Sequence, residues 1–171
     1  MVLSDRIPYQ RGLLLIDDTP DRCALLSAVL RSERCRCAGY IIRRSVCDHL
    51  IPLRRTLTAL QSECASCIIL GLGAGCIPAL ILAELHQAEL LLLIDSSPKK
   101  VSALGKYTRL ACRNLFALTA PIVIMRSCKT ESFLPRSVLK MASCLLECSD
   151  FEEITERILN IDRLTFVRKK K

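Results

Sequence analysis

Aromatic side chains are scarce in this chain of 171 residues, where they make up 4% of the sequence and tryptophan is absent. That scarcity argues against a stacking platform for single-stranded nucleic acid, which needs aromatic rings interleaved with basic residues. Aliphatic residues and cysteine must fill the interior instead. This composition is common in buried parallel strands and in the helices that cover them.

Long apolar runs are missing as well. No stretch reaches the roughly 18 uninterrupted apolar residues of a membrane span, because the longest candidate, 76–94, is interrupted by four polar residues. The first six residues lack the apolar core of a signal peptide. We therefore expect an intracellular, cytoplasmic protein with no membrane partner. We expect its eleven cysteines to be reduced thiols, many of them buried.

Metal-ligand patterns are incomplete. Cys64 and Cys67 have the C-x-x-C spacing of a metal site, but no second such pair and no pair of histidines completes four ligands. Cys67 also begins a predicted strand, where packing explains its presence. The sequence therefore predicts no metal site.

Positive charge is in excess: the formal net charge is +8 and the isoelectric point is near 9.1. Part of this charge lies in the terminal run 168–171, and part is scattered as arginine through the first third of the chain. Such a balance favours phosphate-bearing partners such as RNA, or another acidic partner. A solvated basic surface without a ligand would give the same composition.

Apolar segments of strand and helix type alternate along the chain. The predicted strands are 12–16, 40–42, 67–70, 89–94, 121–125 and 164–167, with a weaker apolar stretch at 141–146. The predicted helices are 21–31, 48–60, 78–86, 96–113 and 151–160. This alternation predicts an α/β fold, a three-layer Rossmann-like domain over 1–167 with a mainly parallel central sheet and helices on both faces. A basic tail, 168–171, follows the domain.

Three of the six glycines lie within five residues, at Gly71, Gly73 and Gly75, directly after the strand 67–70. Glycine at such a turn allows a backbone conformation and a close approach that a β-carbon would block. The next predicted strand leads to Asp95, a carboxylate able to accept hydrogen bonds from two ribose hydroxyls. The pattern predicts a nucleoside site. A tight strand–helix turn with no ligand is the alternative.

The segment 69–78 looks like the glycine motif of class I S-adenosylmethionine-dependent methyltransferases, especially their spermidine-synthase-like branch, and 93–101 resembles the second strand and turn of that family. The resemblance implies a methyltransferase-like protein with S-adenosylmethionine as its cofactor and RNA or another acidic partner as its target. Methyl transfer depends mostly on positioning, and no catalytic residue is assigned. The cofactor-binding residues that the resemblance implies are Gly71, Gly73, Gly75, Asp95 and Ser96.

Two other families share this order of elements. In an α/β-hydrolase the nucleophile would stand at position 73, which is Gly73, and the histidine of the triad must follow it in the chain. The only histidines are His49 and His86, so a working serine hydrolase is excluded, whereas a degenerate relative is not. A response-regulator receiver would place its phosphate-accepting Asp where Gly71 stands. The alternative interpretation is therefore a catalytically inactive α/β domain, a degenerate hydrolase or a pseudo-receiver, that serves as an interaction module.

Overall fold

The computed structural model describes residues 9–31, 35–43, 46–95, 109, 115, 118–127 and 132–160. The described strands are β1 (Tyr9–Asp17), β2 (Cys35–Ile41), β3 (Cys64–Leu72), β4 (Leu90–Asp95), β5 (Ile122–Ser127) and β6 (Cys144–Cys148). These six strands form one sheet in the order β2-β1-β3-β4-β5-β6, and every neighbouring pair is parallel. The helices are α1 (Pro20–Leu30), α2 (Cys47–Glu63), α3 (Cys76–Leu85), α4 (Arg136–Met141) and α5 (Phe151–Leu159).

Helices cover both faces of the sheet and enclose two apolar cores. Because side chains alternate along a strand, Leu14 and Ile16 of β1 join one core, while Leu13 and Leu15 join the other. Helices α2, α3 and α4 pack on the first core, and α1 and α5 pack on the second. The predicted three-layer α/β fold with a parallel sheet is confirmed.

The edge strands differ most from the sequence-based expectation. β2 begins at Cys35, five residues before the predicted run at 40–42, and the weak stretch 141–146 divides between the end of α4 and β6. Each of these strands has one strand neighbour in the described sheet, so less of its length is apolar. The predicted strand 164–167, nearly all of the predicted helix 96–113, Ser96 and the tail 168–171 lie outside the described residues.

Within the described part of the chain, no helix combines the length and the apolar character needed to cross a membrane.

The start of α1 brings the chain to the carboxyl edge of the sheet. Pro20 occupies the first turn, where its fixed φ and missing N–H group suit the start of a helix. Thr19 is the N-cap residue, but its side chain does not cap the helix. Asp17 instead accepts hydrogen bonds at Oδ1 from the backbone N–H groups of Asp18, at 2.7 Å, and Thr19, at 3.2 Å. The last residue of β1 thus orders the loop that follows it.

Candidate functional site

The strand connections diverge between β1 and β3. The connection after β1 leads to β2 on one side, whereas the connection after β3 leads to β4 on the other side. In open parallel sheets, ligands bind beyond the carboxyl ends of the strands at such a divergence point. Asp17 ends β1 at this point, and the turn Gly73–Gly75 follows β3 beside it.

The turn after β3 is short and sharp. A single turn of 3-10 helix, Gly73–Gly75, joins β3 directly to α3 at Cys76, and all three of its residues are buried. Gly73 has a φ of 51°, in the left-handed region that favours glycine. The turn therefore has the sharp strand-to-helix form in which α/β-hydrolases hold their nucleophile, with glycine at the nucleophile position.

Two of the glycines are required by packing inside the protein. A β-carbon on Gly75 would lie 2.0 Å from the carbonyl oxygen of Ile16 in β1. A β-carbon on Gly71 would lie 2.7 Å from the Cys76 α-carbon and 2.7 Å from the Gly75 oxygen. Main chain of the protein therefore occupies the side of the turn where these two residues lack side chains.

An ion-pair cluster of Asp17, Asp18 and Arg22 lies in front of the turn. Asp17 is fully buried. Arg22 donates from Nε to Asp17 Oδ2 at 2.7 Å and from Nη2 to Asp17 Oδ1 and to Asp18 Oδ1. Burial raises the pKa of Asp17, and the hydrogen bond and positive charge of Arg22 counteract that rise. A β-carbon at Gly73 would lie 3.2 Å from Asp18 Oδ1 and 3.3 Å from Arg22 Nη2, so the cluster fills the space that a nucleophile at position 73 would enter.

Asp95 ends β4, the strand beside β3, and is 1% exposed. Its Oδ1 accepts a hydrogen bond from the Phe133 backbone N–H at 3.2 Å, and its buried Oδ2 has no partner among the described residues. Burial raises the pKa of Asp95, while hydrogen bonding to the 132–134 segment lowers it. The carboxyl group thus fixes the 132–134 segment against the sheet. Burial raises the pKa of Cys76, the first residue of α3, and the negative charge of Asp95 raises it further.

Both histidines have structural surroundings away from the turn. The Nε2 of His49 lies 2.7 Å from the Arg43 carbonyl oxygen, and its Nδ1 lies 3.1 Å from the Tyr40 hydroxyl oxygen. His86 follows the last residue of α3 and precedes β4, which places it toward the amino edge of the parallel sheet. Burial and the charge of Arg54 lower its pKa. The chain therefore has no imidazole at the turn.

The role of Arg22 was missed in the sequence-based analysis. The signal was present as two carboxylates directly after an apolar strand, with a cation in the first turn of the following helix. Neither carboxylate was predicted to lie in a functional site. An arginine four or five residues after an acidic pair can return to it across one helical turn.

Comparison with known proteins identifies the fold. No protein-family model and no curated protein sequence matches the chain. Among solved structures, it is similar to a metagenome-derived lipolytic enzyme from the study of LipS and LipT, with a TM-score of 0.71, 13% identity and coverage of 91% of this chain and 94% of that one. It is similar to ferulic acid-bound Est1E from Butyrivibrio proteoclasticus, with a TM-score of 0.68, 11% identity and coverage of 95% and 92%. It is also similar to MGS-MChE2, an α/β-hydrolase enzyme from a lagoon-sediment metagenome, with a TM-score of 0.60, 11% identity and coverage of 91% and 92%. The chain therefore has an α/β-hydrolase-like fold.

The methyltransferase resemblance and the S-adenosylmethionine cofactor are wrong. The similar structures are lipases, esterases and related hydrolases. The physical reason lies at the turn, where Gly71 and Gly75 make room for the protein's own main chain. Asp95, which the resemblance assigned to the ribose hydroxyls, is buried and accepts a hydrogen bond from a backbone N–H group.

Proposed function

We propose that this chain is a catalytically inactive α/β-hydrolase-like domain that serves as an interaction module. The observation that carries the proposal is Gly73, which has a φ of 51° at the position of the nucleophile. A hydrolase of this fold needs a side-chain nucleophile there and a histidine later in the chain to accept its proton. Glycine supplies no nucleophile. His86 follows only thirteen residues later, near the other edge of the sheet.

The loop after β1 gives a second, independent support. In this fold an oxyanion is held partly by backbone N–H groups of a loop that follows a neighbouring strand. The N–H groups of Asp18 and Thr19 in that loop already donate to the Asp17 carboxylate. Two carboxylates close to the turn would also repel a developing negative charge. The turn therefore lacks the nucleophile for acyl transfer, and the groups around it would also oppose that reaction.

Purified full-length chain tests this proposal directly. It is incubated with p-nitrophenyl acetate and butyrate, and separately with a fluorophosphonate probe that labels activated serines, beside a working esterase as the positive control. We expect hydrolysis no faster than with the heat-unfolded chain, and no labelled serine. Turnover or stoichiometric labelling that requires the folded chain would show an active enzyme.

We propose further that the partner is RNA or another acidic molecule. The net charge of +8 supports this, together with exposed cations that have no ion-pair partner among the described residues, including Arg136 and Lys140 on α4. Fluorescence anisotropy with a labelled RNA at about 0.15 M salt measures the binding. Deleting 168–171 should flatten the slope of log K against log salt by at most a few units, because only four charges are removed. Absence of RNA binding at that salt would favour an acidic protein.

A reducing intracellular compartment is the location we propose. The eight cysteines whose side chains the structure describes are free thiols, and six of them are buried. Extracellular proteins commonly pair such residues. Alkylation of acid-quenched cells followed by mass spectrometry would find all eleven cysteines reduced, whereas a disulfide in freshly quenched protein would contradict the proposed location.

A further inference from the structure

Two helices on opposite faces of the sheet carry exposed charges of opposite sign. On α2, Arg54 and Arg55 are exposed, and no described carboxylate lies within 4.0 Å of either guanidinium group. On α5, Glu152 and Glu156 are exposed and equally without an ion-pair partner among the described residues. Arg157 does not cancel them, because it binds Glu153. Each helix therefore presents uncompensated charge to solvent.

Each of these charged stripes also contains a large apolar side chain. Ile51 is 66% exposed and lies three and four residues before the two arginines of α2. Leu159 is 51% exposed and lies three residues after Glu156 on α5. Residues three and four apart lie on the same face of a helix. The two stripes thus carry opposite charge, and each ends in one large apolar side chain.

We propose that α5 of a second copy docks antiparallel along α2, so that this protein assembles head to tail. In this arrangement the second copy's Leu159 covers Ile51, and its glutamates approach Arg54 and Arg55. The docking surfaces lie on opposite faces of the molecule, since α2 packs on one core and α5 on the other. Such a heterologous contact leaves one free surface at each end, and it extends into a ring or an open chain. The inference does not depend on the absence of catalysis.

The composition of the α2 stripe favours a protein surface over a nucleic acid. An RNA backbone would neutralise the arginines but leave Ile51 in water. The stripe has no aromatic ring on which a base could stack. Arginine is enriched in protein interfaces, and the buried core of such an interface is apolar, which suits Ile51. The acidic stripe that fits it is present on the same chain.

Sedimentation of the full-length chain at about 1 to 100 µM tests the assembly. We expect the average mass to rise above the 19.1 kDa of one chain with concentration, and to fall again as the salt is raised to about 0.5 M, since screening weakens exposed ion pairs. The double variants Arg54→Ala/Arg55→Ala and Glu152→Ala/Glu156→Ala should each associate at least about tenfold more weakly. Arg136→Ala/Lys140→Ala removes the same charge from α4 and is the matched control.

Mixing the two disabled variants separates a head-to-tail contact from a symmetric one. The α2 variant keeps a functional α5, and the α5 variant keeps a functional α2, so an equimolar mixture should form a dimer and nothing larger. Formation of that dimer also shows that both variants are folded. A monomeric wild-type chain across this range would overturn the proposal. An unchanged association of either variant, or a mixture that stays monomeric, would overturn it too.

Discussion

Gly75 lies directly against the main chain of Ile16, so that a β-carbon added at position 75 would be 2.0 Å from the Ile16 carbonyl oxygen. Backbone cannot give way as a flexible side chain can. We therefore expect Gly75→Ala to lower the free energy of unfolding by about 3 kcal/mol, measured by urea denaturation. In the control Gly39→Ala the new carbon meets only side-chain atoms, Cys23 Sγ at 2.8 Å and Ser27 Oγ at 3.0 Å. The loss there should be about 1 kcal/mol. Equal losses would contradict the packing argument.

Arg22 is the only described cation that binds the buried carboxylates Asp17 and Asp18. Replacing it with methionine preserves much of its volume but leaves buried negative charge without its guanidinium group. We expect Arg22→Met to cost about 3 to 5 kcal/mol of unfolding free energy. The control is Arg11→Met, whose partner Glu89 has a side chain that is 41% exposed. Solvent-exposed pairs contribute at most about 1 kcal/mol. Similar costs for the two variants would show that the cluster is not structurally important.

Glu84 makes stability depend on pH. Burial raises its pKa to about 7 from 4.5, so the unfolded chain loses this proton at a lower pH than the folded chain does. Its contribution to the free energy of unfolding therefore falls as the pH rises across that interval. We expect Glu84→Gln to match the wild type near pH 4 and to be more stable by about 1 to 3 kcal/mol near pH 8.

Denaturant unfolding across this pH range checks the effect, with Glu156→Gln on the exposed side of α5 as the matched control. A Glu84→Gln variant that parallels the wild type at every pH would contradict the assignment to Glu84.

Restoring a nucleophile should not restore hydrolysis. A serine β-carbon at position 73 would lie 3.2 Å from Asp18 Oδ1, and a residue other than glycine must adopt the left-handed conformation there. We expect Gly73→Ser to lose about 1 to 2 kcal/mol of stability and to hydrolyse p-nitrophenyl esters no faster than the wild type. Turnover in this variant would mean that another side chain serves as the base.

The interior strands were predictable because they are continuous apolar runs. The four interior strands, β1, β3, β4 and β5, are buried along most of their length. Local hydropathy therefore predicts them. The edge strands were not, because β2 includes Arg36 and Gly39, and β6 includes the exposed Leu145 and Glu147. Their position in the sheet follows from the pairing of β2 with β1 and of β6 with β5. A local sequence pattern does not predict such pairing.

The site was predictable as a shape but not as a chemistry. The glycine spacing predicted a sharp turn after β3, and the turn is there. A glycine that admits a ligand and one that admits a neighbouring strand look identical in sequence. Asp95 presents the same ambiguity, because the N–H group that it binds belongs to Phe133, 38 residues away. Only the contacts in the folded structure distinguish a residue that binds a ligand from one that packs within the protein.

The reactivity of the buried thiols reports local opening of the fold. Cys23 and Cys37 lie in the core beneath α1 and α5, whereas Cys64 and Cys67 lie in the core beneath α2 and α3. Burial raises the pKa of Cys37 and of Cys67 to about 11, so few reactive thiolates exist while each layer is closed. The alkylation rate at each cysteine therefore measures how often its own layer lifts from the sheet. The opening rates of the helical layers on the two faces of the sheet can therefore be measured separately, without an introduced label.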